Sequence, residues 1–136
     1  MIPINSGESN PWGSASSPYE ELGGGIPLRQ LVEAFYDIIE GESPTLRAML
    51  PTNTSTSRQK LYEFLSGWLG GPPLYEEKRG HPRLRMRHLP FPIGESEAAE
   101  WMRCFRKAMD QAGVEGRIRD FIETRLTPLA QHMVNQ

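Results

Sequence analysis

Two of the three histidines fall in one short run, Gly80-His81-Pro82-Arg83-Leu84-Arg85-Met86-Arg87-His88, interleaved with arginines. A neutral imidazole nitrogen is a good base for a transition metal, and guanidinium groups are shaped to meet carboxylates. This run is the most informative feature of the chain, but taken alone a histidine before Leu89-Pro90-Phe91 is more often structural or exposed than a ligand, and the arginines read equally well as a solvated loop. Zinc fits it poorly, because His81 and His88 lack a further cysteine or acidic ligand at suitable spacing. No nucleophile paired with a base, no phosphate-binding glycine loop and no spaced pair of carboxylates accompanies it. Cys104 is the only cysteine, so no intrachain disulfide can form, and it reads as an inert buried thiol.

Helices must position these groups. A short helix is expected at Pro18 to Leu22, ending in Gly23-Gly24-Gly25, where the chain can take positive backbone angles without penalty. A second starts near Pro27 and buries Leu28, Leu31, Val32, Phe35 and Ile39, spaced by threes and fours, until Gly41 and Pro44 stop it. A short turn through Leu46, Met49 and Leu50 ends at Pro51. The hydroxyls of Ser55, Thr56 and Ser57 are candidate caps for the next helix, which buries Leu61, Phe64, Leu65, Trp68 and Leu69 before Gly70-Gly71-Pro72-Pro73 ends it. Prolines at 82, 90 and 92 leave room only for a brief helix around Leu84 to His88 between Tyr75 and Gly94. Two long helices close the pattern. Ser96 is the expected cap of the first, which carries Trp101, Met102, Phe105, Ala108 and Met109 and ends at Gly113. The second carries Ile118, Phe121, Ile122, Leu126, Leu129 and Met133, with Pro128 inside it as the expected site of a kink. Met102, Met109 and Met133 read as core filler. Periodicity alone thus predicts an all-α domain of two antiparallel helix pairs around a glycine- and proline-rich middle.

At 136 residues, with 15 basic against 17 acidic side chains and a formal charge of -2, one domain with one core is expected. That balance argues against a nucleic-acid binder relying on broad phosphate neutralisation. No apolar run approaches the roughly 20 residues needed to span a bilayer, so membrane insertion is not expected. Without a charged leader, the expected address is cytoplasmic. Residues 1–17 hold few large apolar groups and are expected to form a flexible extension, with residues 18–136 as the domain.

Taken with Trp68-Leu69-Gly70-Gly71-Pro72 and Trp101, the His81–His88 run resembles the group II truncated haemoglobins, from about Tyr19 onward. That resemblance implies a truncated globin, a two-over-two helical sandwich, with Gly23-Gly24 and Gly70-Gly71 matching the family's corner glycines. It implies haem b (iron protoporphyrin IX), with His88 as the proximal metal ligand. Arg87, His81, Lys60 and Tyr75 match propionate or haem-edge positions, and Met86 a haem-face position. Tyr36, after Phe35, matches the distal tyrosine, and Trp101 the tryptophan characteristic of groups II and III, an indole that can only donate. Two donors there would stabilise negative charge on a bound ligand and slow its release. Ser57 stands where a globin often carries histidine or glutamine, with Leu61 one turn on. Leu50 departs from the family, whose members carry phenylalanine, tyrosine or histidine there, so the distal hydrogen-bond network is reduced. Phe64, Leu65, Phe91, Ile93 and Phe105 are core candidates that also suit a pocket lining, Phe105 least.

The resemblance implies reversible binding of dioxygen and other diatomic ligands. An alternative is a haem redox enzyme, a nitric oxide dioxygenase or peroxidase-like catalyst, which needs a cellular reductase as partner. A third reading is a helical interaction module without haem. A monomer and a homodimer joined through the last two helices both remain open.

Overall fold

The computed structural model describes Trp12 and residues 15–136. Eight helices follow in order: α1 (Pro18–Leu22), α2 (Gly25–Glu42), α3 (Pro44–Arg47), α4 (Ser55–Trp68), α5 (Leu74–Arg79), α6 (Leu84–His88), α7 (Glu95–Ala112) and α8 (Arg117–His132). No described residue lies in a strand. No described helix is long and apolar enough to cross a membrane.

The core forms where α2 packs on α4 and α7, and α7 packs on α8. Each long helix contributes one apolar stripe. Leu28, Leu31, Val32, Phe35 and Ile39 of α2 are buried, as are Met102, Phe105, Ala108 and Met109 of α7 and Ile118, Ile122 and Leu126 of α8. Phe35 joins the layers: its ring meets Trp101 edge-on at 4.9 Å and Phe105 at 5.2 Å, and Trp101 stacks on Phe105 at 5.3 Å. Such pairs contribute about 0.5–1.5 kcal/mol beyond area burial. Cys104 is fully buried, and desolvation pushes its thiol pKa up, which disfavours the reactive thiolate.

The two glycines after α4 serve different needs. Gly70 has φ +88, while at Gly71 a Cβ would fall 2.5 Å from ring carbons of Tyr19. The close approach lets the Tyr19 amide donate to the Leu69 carbonyl at 2.9 Å, docking α1 on the end of α4. Ser17 caps α1 by accepting from the Glu20 amide. Trp12 is half-buried, edge-on to Phe121 at 5.2 Å, so Trp12 as well as Ser17 of the expected flexible extension is packed against the helices. Residues 1–11, 13 and 14 of that extension lie outside the described residues.

Several boundaries differ from the sequence expectation, each for a local reason. α2 starts two positions earlier, at Gly25, and runs through Gly41, because an interior glycine weakens a helix without breaking it; Ser43-Pro44 ends it. The α4 hydroxyls do not cap it. Instead Asn53 Oδ1 accepts from the Ser55 amide at 2.9 Å, and the Thr54 hydroxyl is spent on Glu40. α7 starts at Glu95 with Gly94 as its cap, and the Glu97 carboxylate accepts from the Gly94 amide at 2.7 Å; Ser96 already lies inside the helix. α5 was not expected at all. It occupies the proline-free interval between Pro73 and Gly80, with Glu76 and Glu77 in its first turn and Lys78 and Arg79 in its last, an order that suits the helix dipole. Within α8, Pro128 is accommodated and the Thr127 hydroxyl donates to the Glu123 carbonyl at 2.8 Å.

Glu63 escapes the hydropathy pattern entirely. It is fully buried on α4 and accepts from Arg79 Nε at 2.8 Å, Lys78 Nζ at 3.1 Å and Gln59 Nε2 at 2.8 Å. Burial pushes its pKa up, but the donors from Arg79, Gln59 and Lys78 outweigh it and hold the carboxyl at about 2. A folded pKa below the unfolded value means stability that is complete above the ordinary carboxylate range and lost as pH falls toward 2. Because Lys78 and Arg79 stand partly in water, the pair is worth on the order of 2–3 kcal/mol. Glu63→Gln should therefore lower urea stability by about that much at pH 7 and by much less at pH 3. A deficit independent of pH would show that the charge of Glu63 is not what holds α5.

Candidate functional site

Between α2, α4, α6, α7 and the end of α8 lies a cavity of about 400 Å³, open to one side and walled mainly by carbon. Its size is within the usual range for small-molecule sites. Tyr36, Leu50, Ser57, Lys60, Leu61, Phe64, Tyr75, Arg87, His88, Phe91, Ile93 and Trp101 all line it. The cavity also explains why Leu61, Phe64 and Trp101 remain half-buried on otherwise apolar faces.

His88 ends α6, and its Nδ1 lies 2.6 Å from the Leu84 carbonyl one turn back. A carbonyl only accepts, so Nδ1 carries the proton and Nε2 is left as the basic nitrogen. A hydrogen bond of this kind orients a ligating imidazole and raises its basicity. Sequence reasoning left that acceptor unidentified. Among the described residues there is no cluster of three or more His, Cys, Asp or Glu side chains placed to hold a metal ion, so a metal bound by His88 would need its other ligands from a cofactor.

From α2 and α7 come two donors, the Tyr36 hydroxyl and the Trp101 indole, that find no acceptor among the described residues. The Tyr36 ring is wedged edge-on to Phe35 at 5.3 Å, with the Arg58 guanidinium 5.6 Å above it. Arg58 itself is fixed by Glu33, Asp37 and Glu40 of α2. Desolvation pushes the Tyr36 pKa up to about 12, so the hydroxyl stays protonated and able to donate. Trp101 is held by its stacking on Phe105. Leu50 lines the cavity from the α3–α4 loop, which Arg47 secures by donating to the carbonyls of Leu50, Pro51 and Thr52.

Lys60 and Arg87 are exposed lining residues, so the cavity has two cations on its rim. Arg87 also donates to the Pro82 carbonyl at 2.8 Å. Tyr75, carried by α5, is buried in the same cavity wall, edge-on to Phe64 at 6.5 Å.

Two expected residues lie elsewhere. Met86 is 54% exposed and does not line the cavity, because α6 is short and turns that face to solvent. His81 is exposed and off the cavity wall; its Nδ1 accepts from the Arg83 amide at 3.0 Å, stabilising a turn in which Arg83 takes φ +46. Conversely, Met133 is a lining residue rather than only core filler, together with Leu129 and Ala130 of α8. Their spacing along α8 signalled an apolar face without showing that the face borders a cavity. Phe105 is core, as expected.

Comparison with known proteins agrees with this arrangement. The family model for the bacterial-like globins matches residues 17–135. The chain is 46% identical over 123 residues to the group 2 truncated haemoglobin YjbI of Bacillus subtilis (strain 168), covering 90% of this chain and 92% of that protein. Its structure superposes with a TM-score of 0.85 on the truncated oxygen-avid haemoglobin from Bacillus subtilis, at 46% identity, covering 88% of this chain and 100% of that one. The group II 2-on-2 haemoglobin from Agrobacterium tumefaciens gives a TM-score of 0.86 at 42% identity, covering 90% and 97%. An imidazole and two hydrogen-bond donors lining one apolar cavity, on a two-over-two helical sandwich, together with these matches, establish that the chain belongs to the bacterial-like globin family, in its group II truncated haemoglobin branch.

Proposed function

We propose that this globin holds haem b through His88 and reversibly binds dioxygen and other diatomic ligands on the side of Tyr36 and Trp101. The observation that carries the reading is the division of the cavity: one basic nitrogen on α6, and two donors with no acceptor among the described residues on α2 and α7. When bound, haem supplies the iron at which a diatomic ligand coordinates. Everything else falls to the chain. The Leu84 carbonyl keeps the Nε2 lone pair of His88 available to the iron, Lys60 and Arg87 answer the propionate charges, and the carbon walls exclude water. Non-covalent haem b is the form that fits, because covalent attachment through a Cys-x-x-Cys-His arrangement needs two cysteines and the sequence holds one, Cys104 on α7.

The test is reversibility. The reduced, haem-loaded protein should convert to a distinct oxygenated spectrum in air and return to the deoxygenated one under argon over repeated cycles. Immediate and complete conversion to ferric protein at each exposure would overturn the reading.

Leu50 tunes the same side. An aliphatic side chain cannot donate, so Leu50→Tyr should add a third donor and slow oxygen dissociation by roughly tenfold, the equivalent of about one hydrogen bond. An unchanged or faster off-rate in a folded variant, measured by stopped flow, would show that position 50 does not face the ligand.

A further inference from the structure

The segment just beyond α8 does something that haem binding by His88 does not by itself require. Asn135 grips the loop that leaves α6 at several places. Its amide donates to the Ile93 carbonyl at 2.8 Å, and its Oδ1 accepts from the Ile93 amide at 3.0 Å. Its Nδ2 donates to the carbonyls of Phe91 at 2.9 Å and His88 at 3.4 Å. From the other direction Arg85, on α6, donates to the carbonyls of His132 at 3.1 Å and Val134 at 2.7 Å.

Apart from these bonds little holds α6. It is five residues long, has no buried residue and no side-chain cap, and a single turn is not stable alone. At its C-terminus the His88 carbonyl accepts from the Phe91 amide at 3.0 Å, closing a turn, and Asn135 Nδ2 ties that turn to the chain beyond α8 by bonding both the His88 and the Phe91 carbonyls. The same segment follows Met133, which lines the cavity, so it is fixed to the cavity wall on one side and to the His88 backbone on the other.

We infer that Asn135, with Arg85 as its counterpart, is a positioning residue that fixes the tilt of α6 and so the placement of the His88 imidazole toward haem iron. The inference rests on His88 being the proximal ligand. The chemistry distinguishes the two amide ends. Asn135→Asp keeps an oxygen for the Ile93 amide but replaces the donor to Phe91 and His88 with a second acceptor, turning two attractions into repulsions. Asn135→Ala removes both ends.

The experiment compares wild type, Asn135→Ala, Asn135→Asp and, as a nearby control, Gln131→Ala, an exposed position on α8, with His88→Ala to identify the iron–histidine band. Resonance Raman of the ferrous haem-loaded proteins reads the iron–histidine stretch, haem transfer to excess apomyoglobin reads retention, and far-ultraviolet circular dichroism of the haem-free proteins reads helix content. In both Asn135 variants the stretch should shift and broaden and haem transfer should quicken by at least about tenfold, the equivalent of one hydrogen bond or more, with helix content and Gln131→Ala at wild-type values. A wild-type band and transfer rate in both Asn135 variants would overturn the inference while leaving His88 as ligand. A wild-type band that survives His88→Ala would overturn the proximal assignment, and this inference with it.

Discussion

His88→Gly is expected to fold and yet to lose tight haem binding, with affinity falling by at least about 100-fold. The magnitude follows from comparison: removing a hydrogen-bond partner of a metal ligand already costs about 10- to 100-fold, and here the ligand itself is removed. The fold should survive, because His88 is half-buried at the end of a short helix and contributes little to the core around Phe35 and Phe105. The glycine leaves a ring-sized gap between Leu84 and the cavity. Free imidazole in the buffer should occupy it and restore much of the haem affinity and the wild-type Soret position, since the apolar walls and the Lys60–Arg87 rim are untouched. Haem affinity equal to wild type without imidazole would mean that another group supplies the axial base.

Tyr36→Phe should accelerate oxygen dissociation by roughly 10- to 100-fold, and Trp101→Phe by a smaller factor. Both substitutions retain an aromatic ring against Phe35, so packing changes little and the effect isolates the donor. Tyr36 is the better buried of the two and carries the larger expected share. The two donors serve one ligand, so the double variant should fall short of the product of the single effects. Burial raises the Tyr36 pKa to about 12, so its donor role is constant and the wild-type off-rate should be flat between about pH 6 and pH 9. Stopped-flow displacement of oxygen by carbon monoxide measures all of these. Off-rates unchanged in Tyr36→Phe would place its hydroxyl out of reach of the ligand.

How much of this was legible in the sequence depends on what kind of information each feature carries. The four long helices follow from apolar spacing alone, as Leu28, Leu31, Val32 and Phe35 illustrate, because one buried stripe is enough to specify a helix face. Their assembly into a two-over-two sandwich came from resemblance, since periodicity is blind to which stripes meet. The site residues were reached the same way: nothing in the spacing of Tyr36, His88 and Trp101 says that they border one cavity. Failures arise where a residue's environment is set by distant chain. Glu63 looks like a solvated charge until Lys78 and Arg79 arrive on α5, and α5 itself was obscured by the prolines that follow it. Asn135 reads as a polar terminal residue until the fold brings it to the carbonyls of His88 and Phe91. Met86 and His81 show the converse. Both lie in the most informative motif of the chain, yet α6 is five residues long and can turn only part of its surface inward, His88 rather than Met86, while His81 lies before the helix in a turn.

The most direct test of the account is a haem titration of the purified, haem-free protein, read by its absorption spectrum before and after reduction and exposure to carbon monoxide. The account predicts saturation at one haem per chain, with a Soret band that shifts cleanly on carbon monoxide binding. Absorbance that rises without saturation, or a band that carbon monoxide leaves unmoved, would contradict it.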